Sequence, residues 1–190
     1  MPRRRNLRME TYNKLISIGK STEKDILNLK IEDLKTFTAQ LFMGETFDYW
    51  LVREANIVTF NSFTIDGRIR QGYYSDEELE MNRIEEFSSW KTLRPFCYSL
   101  IRGRKLPESF QITLQLSPEE NEKFIRRVKP DLPADQIAAL YLNIRYENHA
   151  AACVTGTSLK IFMLDKQIEQ EWDETVRRYF RKLQIPCVEV

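Results

Sequence analysis

Histidine is almost absent from this chain: His149 is the only one in 190 residues. A metal centre built on several imidazoles is therefore excluded, and any catalytic pair of a nucleophile with histidine has to use this residue. Cysteine is scarce as well. Cys97, Cys153 and Cys187 are odd in number and widely spaced, with no C-x-x-C pair to hold a metal or run thiol exchange, which fits a reduced, cytoplasmic setting. No apolar run approaches the length of a membrane span, and "LRMETYNKLISIGKS" after the Arg-rich start lacks the apolar stretch of a secretory signal. A nucleotide-binding glycine loop is missing too, because no group of glycines precedes a helix start.

What is present is a foldable core. Hydrophobic residues make up 42% of the chain and aromatics 12%, enough for one domain of ordinary size. Lys plus Arg is 29 against 28 for Asp plus Glu, so no overall field draws the protein to nucleic acid or membrane. The distribution is uneven: residues 1–30 hold eight bases and three acids. Residues 1–28 read as a basic flexible arm, and 29–190 as a single domain.

Periodicity orders the rest. "LNLKI" reads as a short strand, followed by a helix with Leu34, Phe37 and Leu41 on one side. "LVREANIVTF" and "SFTIDGRI" read as paired strands joined at "NS". "SDEELEMNRIEEF", with six acids, is expected to be a solvated connection or short exposed helix. "SSWKTLRPFCYSLIRG" predicts a helix capped by Ser and stopped at Gly103, in which Pro95 marks the first turn or a kink. "SFQITLQL" alternates as a strand. "SPEE" then predicts a helix start in which Ser117 caps, Pro118 needs no donor and Glu120 reaches back as in a capping box. "LYLNIRY" and "AACVTGTSLKIFML" predict strands around the turn "ENHA". Asp165 is placed to cap a last helix, where Ile168, Trp172, Val176, Tyr179, Phe180 and Leu183 keep to one face.

Both halves, about 29–105 and 108–185, read strand, helix, strands, helix. This order suggests an internal duplication about a pseudo-twofold axis, with an antiparallel sheet covered by about four helices in an α+β fold. "TIDG" is echoed by "CVTG", which sets Gly67 opposite Gly156. A glycine recurring at equivalent hairpins is expected to supply a positive φ or a bulge. "FTIDGRIRQGYY" is accordingly read as the bend of a hairpin, in preference to a phosphate grip by Asp66, Gly67 and Arg68. The saddle of TATA-binding proteins and the repeats of sliding DNA clamps have a comparable plan, which is analogy of fold and does not fix function.

At "TFNSFTIDGRI", "SSWKTLRPFCYSLIRG", "LYLNIRY" and "TGTSLKIFMLDKQIEQEWDE" the chain resembles a family of small, uncharacterised bacterial proteins from Gram-positive anaerobes, classed as a domain of unknown function. The resemblance covers about residues 29–185. It implies a single-domain cytosolic protein and brings no activity, cofactor or catalytic residue with it.

Chemistry-bearing residues are few. Cys153 lies four positions after His149, but a turn histidine and a buried strand cysteine are the preferred reading; Cys97 reads as core. Asp48, Glu54 and Asp66 lie close in sequence and are the candidates for a metal-dependent enzyme acting on phosphate esters, provided that they converge in space. Arg102, Arg104 and Lys105, and Arg177, Arg178 and Arg181 on the last helix, are the candidate contacts for nucleic acid or another partner. For the second group the charged side of an amphipathic helix is the preferred reading. Trp50, Trp90 and Trp172 read as core anchors. The leading expectation is a non-enzymatic binding or adaptor domain, without a cofactor, for a protein or nucleic-acid partner.

Overall fold

The structure is a computed structural model that describes residues 26–81, 84–133, 136–160 and 166–190; the basic arm up to residue 25 and Asp165 lie outside the described residues. Among the described residues seven strands form one antiparallel sheet: β1 (Asn28–Ile31), β2 (Leu51–Val58), β3 (Ser62–Asp66), β4 (Ser109–Gln115), β5 (Ile137–Glu147), β6 (Ala150–Leu159) and β7 (Cys187–Glu189). Their spatial order is β3-β2-β4-β5-β6-β1-β7. The helices are α1 (Leu34–Phe42), α2 (Asp76–Met81), α3 (Trp90–Ile101), α4 (Pro118–Val128) and α5 (Gln167–Lys182). The α+β class and the antiparallel sheet anticipated from the sequence are thus what the chain adopts.

Alternation assigns the two faces of the sheet. Ala55 and Ile57 pair with Ile112 and Phe110, and these with Ile144 and Tyr146, building an apolar face continued by Cys153 and Leu29. Helix α3 packs on β2, α4 on β5 and α5 on β6, while α1 lies against α3. Helix α2 buries no residue, as its six-acid surroundings led us to expect. The opposite face carries polar side chains. Thr64 donates to Asn56 at 2.7 Å and Thr113 to Asn143 at 3.0 Å across neighbouring strands.

Local signals hold where capping chemistry is complete. Ser89 accepts from the Thr92 N–H at the start of α3, and Ser117 from the Glu120 N–H at the start of α4. The Glu120 carboxylate, expected to reach back to the cap, takes the Lys123 ammonium at 2.8 Å instead, and the reciprocal pair of bonds forms at Ser75 and Glu78 at the start of α2. Pro95 sits in the second turn of α3 and not the first, so the Lys91 carbonyl cannot receive the usual N–H from position 95. The β5–β6 turn places Asn148 and His149 at φ 51° and 60°, the primed geometry of a two-residue hairpin.

The glycine reading needs correcting. The β2–β3 turn falls at 59–61, where the Thr59 N–H bonds to the Asn61 carbonyl, so "FTID" is strand β3 and Gly67 lies past its end. No described glycine has a positive φ. Gly67 is required by crowding: a Cβ there would lie 1.7 Å from the Val52 carbonyl oxygen, at the register shift of β2 between Val52 and Glu54. Gly156 lies within β6 opposite Tyr141, where a Cβ would make ordinary contacts from 3.5 Å. The two glycines have unlike roles.

Strand pairing does not supply the twofold either. The β2–β3 and β5–β6 hairpins correspond, but β4 pairs with β5 in the second half, whereas β1 leaves its own half and lies between β6 and β7. Leu27, just before β1, is buried, so the core reaches back to it.

Candidate functional site

Between α4 and α5 the helical side opens into a cleft of about 550 Å³ whose floor is aromatic. Two buried indoles, Trp50 and Trp172, line it, and a third, Trp90, lies in the core outside it; each is anchored by its N–H. Trp90 donates to the Leu41 carbonyl at 2.7 Å, Trp172 to the Tyr141 carbonyl at 3.0 Å, and Trp50 to the Tyr179 hydroxyl at 3.3 Å. Tyr179 in turn donates to the Thr46 carbonyl at 2.6 Å, tying α5 to the segment before β2. Burial pushes the Tyr179 phenol up from its ordinary value, against the indole bond from Trp50, so it remains a neutral donor.

Rings complete the floor. Trp50 lies 6.0 Å from Trp172 and 5.8 Å from Tyr179 between centroids, and Phe124 meets Trp172 edge-on at 5.8 Å. The tryptophans are the core anchors anticipated from the sequence, all less than a tenth exposed. The unexpected residue is Tyr49, 91% exposed at the rim of this cleft. Sequence reasoning missed it because it stands between buried Asp48 and Trp50 in an aperiodic turn, where no spacing marks a side. Arg127 lies over the Phe124 ring at 5.4 Å and donates to Thr175 at 3.3 Å. Lys123 is held between Glu119 and Glu120, whose carboxylates raise its pKa and keep it charged.

The acids proposed for phosphate chemistry do not converge. Asp48 is buried on the helical side and pairs with Arg94 at 3.1 Å. Glu54 and Asp66 are cross-strand partners on the other face, where Asp66 accepts the Arg68 N–H at 3.0 Å and pairs with Arg70 at 3.5 Å. Arg68 itself pairs with Glu86 at 2.8 Å. "DGR" is therefore extended chain at the end of β3, bridged through Arg68 to Phe87 and held by backbone bonds to Arg53, Glu86 and Ser88. Among the described residues, no group of three His, Cys, Asp or Glu side chains could hold a metal.

The thiols are unsuited to nucleophilic attack. Burial pushes Cys97 up to about 12, and raises Cys153 and Cys187 as well. Cys153 points into the core beside Ile144, while His149 is exposed in its turn, so the two do not pair.

The basic candidates divide. Arg177 grips Glu189 of β7 through two bonds, at 2.9 and 3.2 Å, and Arg181 pairs with Glu174 at 2.8 Å. Arg178 donates to Thr175 at 3.2 Å. Arg102, Arg104 and Lys105 are exposed in the loop entering β4, whose first residue pairs with the last of β2. That loop and the β2–β3 turn, where Phe60 is 84% exposed, share one end of the sheet. Lys30 and Arg145 on the polar face are offset by Glu54, Asp66 and Glu147.

A family of unknown function, DUF5721, matches residues 40–187. The chain belongs to that family. No curated protein and no solved structure matches this family member. The matched span begins within α1 and ends at the start of β7, so it includes the cleft and every aromatic residue of its floor. No helix among the described residues is long and apolar enough to cross a membrane.

Proposed function

We propose that the chain is a non-enzymatic binding module whose recognition site is the α4–α5 cleft, and that its partner is a protein segment which inserts an apolar or aromatic side chain there. The observation that carries this reading is Tyr49, an aromatic ring left almost wholly in water beside a rigid, hydrogen-bonded aromatic floor. A preformed apolar recess with a few placed polar groups binds well because little has to be ordered on association. Arg127 at its rim favours an acidic residue next to the anchor. Three free cysteines, two of them buried, support a cytoplasmic setting; an origin in Gram-positive anaerobes rests on the sequence resemblance alone.

Peptides selected from a random display library on the full chain, then measured by fluorescence anisotropy, test the proposal. Tyr49→Ala and Arg127→Ala, both at exposed positions, are expected to weaken selected peptides about tenfold or more. Peptides indifferent to both substitutions would sink it. A second reading, nucleic-acid binding, is favoured by the solvent-exposed Arg102, Arg104 and Lys105, whose loop lies at the same end of the sheet as the exposed Phe60. Saturable binding of labelled single-stranded DNA that falls steeply with salt and is lost in Arg104→Ala would transfer the function to that loop.

A further inference from the structure

The two edges of the sheet are unlike. β7 spans three residues, follows Pro186 and has Glu189 clasped by Arg177, all of which discourage pairing with another chain. The other edge, β3, carries no proline, lysine or register shift. The phase of its pairing with β2 is fixed at both ends, where the Thr59 N–H bonds to the Asn61 carbonyl and the Gly67 N–H to the Arg53 carbonyl. Phe63 and Ile65 therefore turn their backbone groups to β2. The N–H and C=O of Ser62, Thr64 and Asp66 point away from the sheet, at positions that are exposed.

This edge is complementary to itself. When two copies of β3 run antiparallel about Thr64, Ser62 faces Asp66, Thr64 faces Thr64 and Asp66 faces Ser62, and at each pair both N–H groups meet carbonyls. A shift of register by two residues loses one of these pairs. On the helical side Phe63 comes opposite Ile65 at a non-hydrogen-bonded position, where side chains approach most closely and an aromatic against a β-branched residue is favourable. Phe63 is only half-buried, and Phe60, edge-on to it at 5.6 Å, extends the apolar strip. The one charge of the strand, Asp66, never faces itself. Antiparallel pairing also brings unlike ends together: the loop of Arg102, Arg104 and Lys105 lies at the Ser62 end, and at the Asp66 end the chain runs on into α2, whose first turn holds Asp76, Glu77 and Glu78.

We propose that β3 pairs with β3 of a second copy of this chain, joining the two sheets into one across a twofold axis at Thr64. The contact is isologous and uses the edge of both copies, so it closes at two. Its small size makes it weak and concentration-dependent. The α4–α5 cleft shares no residue with it.

Sedimentation equilibrium of the full chain between about 1 μM and 1 mM tests the proposal, and the mass is expected to double and rise no further. Thr64→Lys and Thr64→Glu each set like charges face to face and are expected to weaken the dimer about tenfold. An equal mixture of the two variants is expected to restore association, because the Thr64-centred register alone puts those positions opposite each other. Amide exchange on the parent chain needs no substitution: the Thr64 N–H is expected to exchange several-fold more slowly in concentrated than in dilute solution, whereas the Phe63 and Ile65 amides, already bonded to β2, stay unchanged. If either variant loses its fold, read from Tm, the amide measurement decides. A monomer throughout, a dimer indifferent to both substitutions, no recovery on mixing, a mass that grows past two copies, or a Thr64 amide equally fast at both concentrations would each overturn the proposal. None of these outcomes bears on Tyr49→Ala, and so the peptide reading stands or falls separately.

Discussion

Gly67 shows how one missing atom can be structural. With the Val52 carbonyl 1.7 Å from where a Cβ would stand, Gly67→Ala has to displace backbone, not a flexible side chain. The expected loss is about 2–4 kcal/mol in urea denaturation. Gly156→Ala, whose new atom meets only ordinary contacts, is expected to change stability by less than about 1 kcal/mol, in either direction. Equal effects at the two positions would contradict the unlike roles assigned to them. Asp173 makes a second case. Burial pushes its carboxyl above the ordinary 3.8, against the Thr155 hydroxyl bond and Arg177, and the fold thereby favours its protonated form. Its contribution is fully present below the ordinary value and lost as pH rises through the raised one, so ionised Asp173 weakens the fold at neutral pH. Asp173→Asn should be as stable as the parent or more so near about pH 7, with the advantage gone near about pH 3, read from denaturant midpoints at both.

Among the elements, α3 carries two conflicts that its sequence announces only in part. Pro95 was legible as a disturbance, but its place in the second turn was not, because the cap that sets the start is a choice between adjacent serines, Ser88 and Ser89. Pro95 is solvent-exposed, so Pro95→Ala restores a backbone bond without repacking and is expected to gain about 1–2 kcal/mol in thermal or urea unfolding. Arg94, one residue earlier, clamps the segment between α1 and β2 by pairing with buried Asp48 and donating to the Gly44 carbonyl. Breaking one side of such a pair strands a charge. Arg94→Leu is expected to cost about 3–5 kcal/mol, and the double change with Asp48→Leu to recover part of it in a double-mutant cycle. No spacing rule links positions 48 and 94, and the pair was not visible in the sequence.

For the whole molecule, pairing between strands far apart in sequence decides how the sheet closes. β1 is seated between β6 and β7, so the first and last strands become neighbours, and Arg177 on α5 fastens β7 through Glu189. Deleting 187–190 bares one edge of β1 and removes that clasp. A lowered denaturation midpoint is expected, with association beyond that of the parent chain by size-exclusion chromatography, because an exposed strand edge is a template for pairing. An unchanged midpoint and association no greater than the parent's would show that β7 adds nothing.

The amino-acid order by itself determined what depends on neighbours a few residues apart. The strands alternate because β side chains do; α4 starts at Ser117 because cap, proline and acid coincide; α5 buries Ile168, Trp172, Val176 and Phe180 because they recur with the helical period. Tertiary structure alone decided which strands pair, since β1 lies more than a hundred residues from its partner β6 and no local preference acts over that span. It also decided that Asp48 faces Arg94 and away from Glu54, that Gly67 touches Val52, and that Tyr49 stands in water while its neighbours are buried. Both proposed sites are of that second kind. The cleft is made by elements far apart in sequence, and β3 becomes an edge only through the order in which the packed sheet arranges its strands.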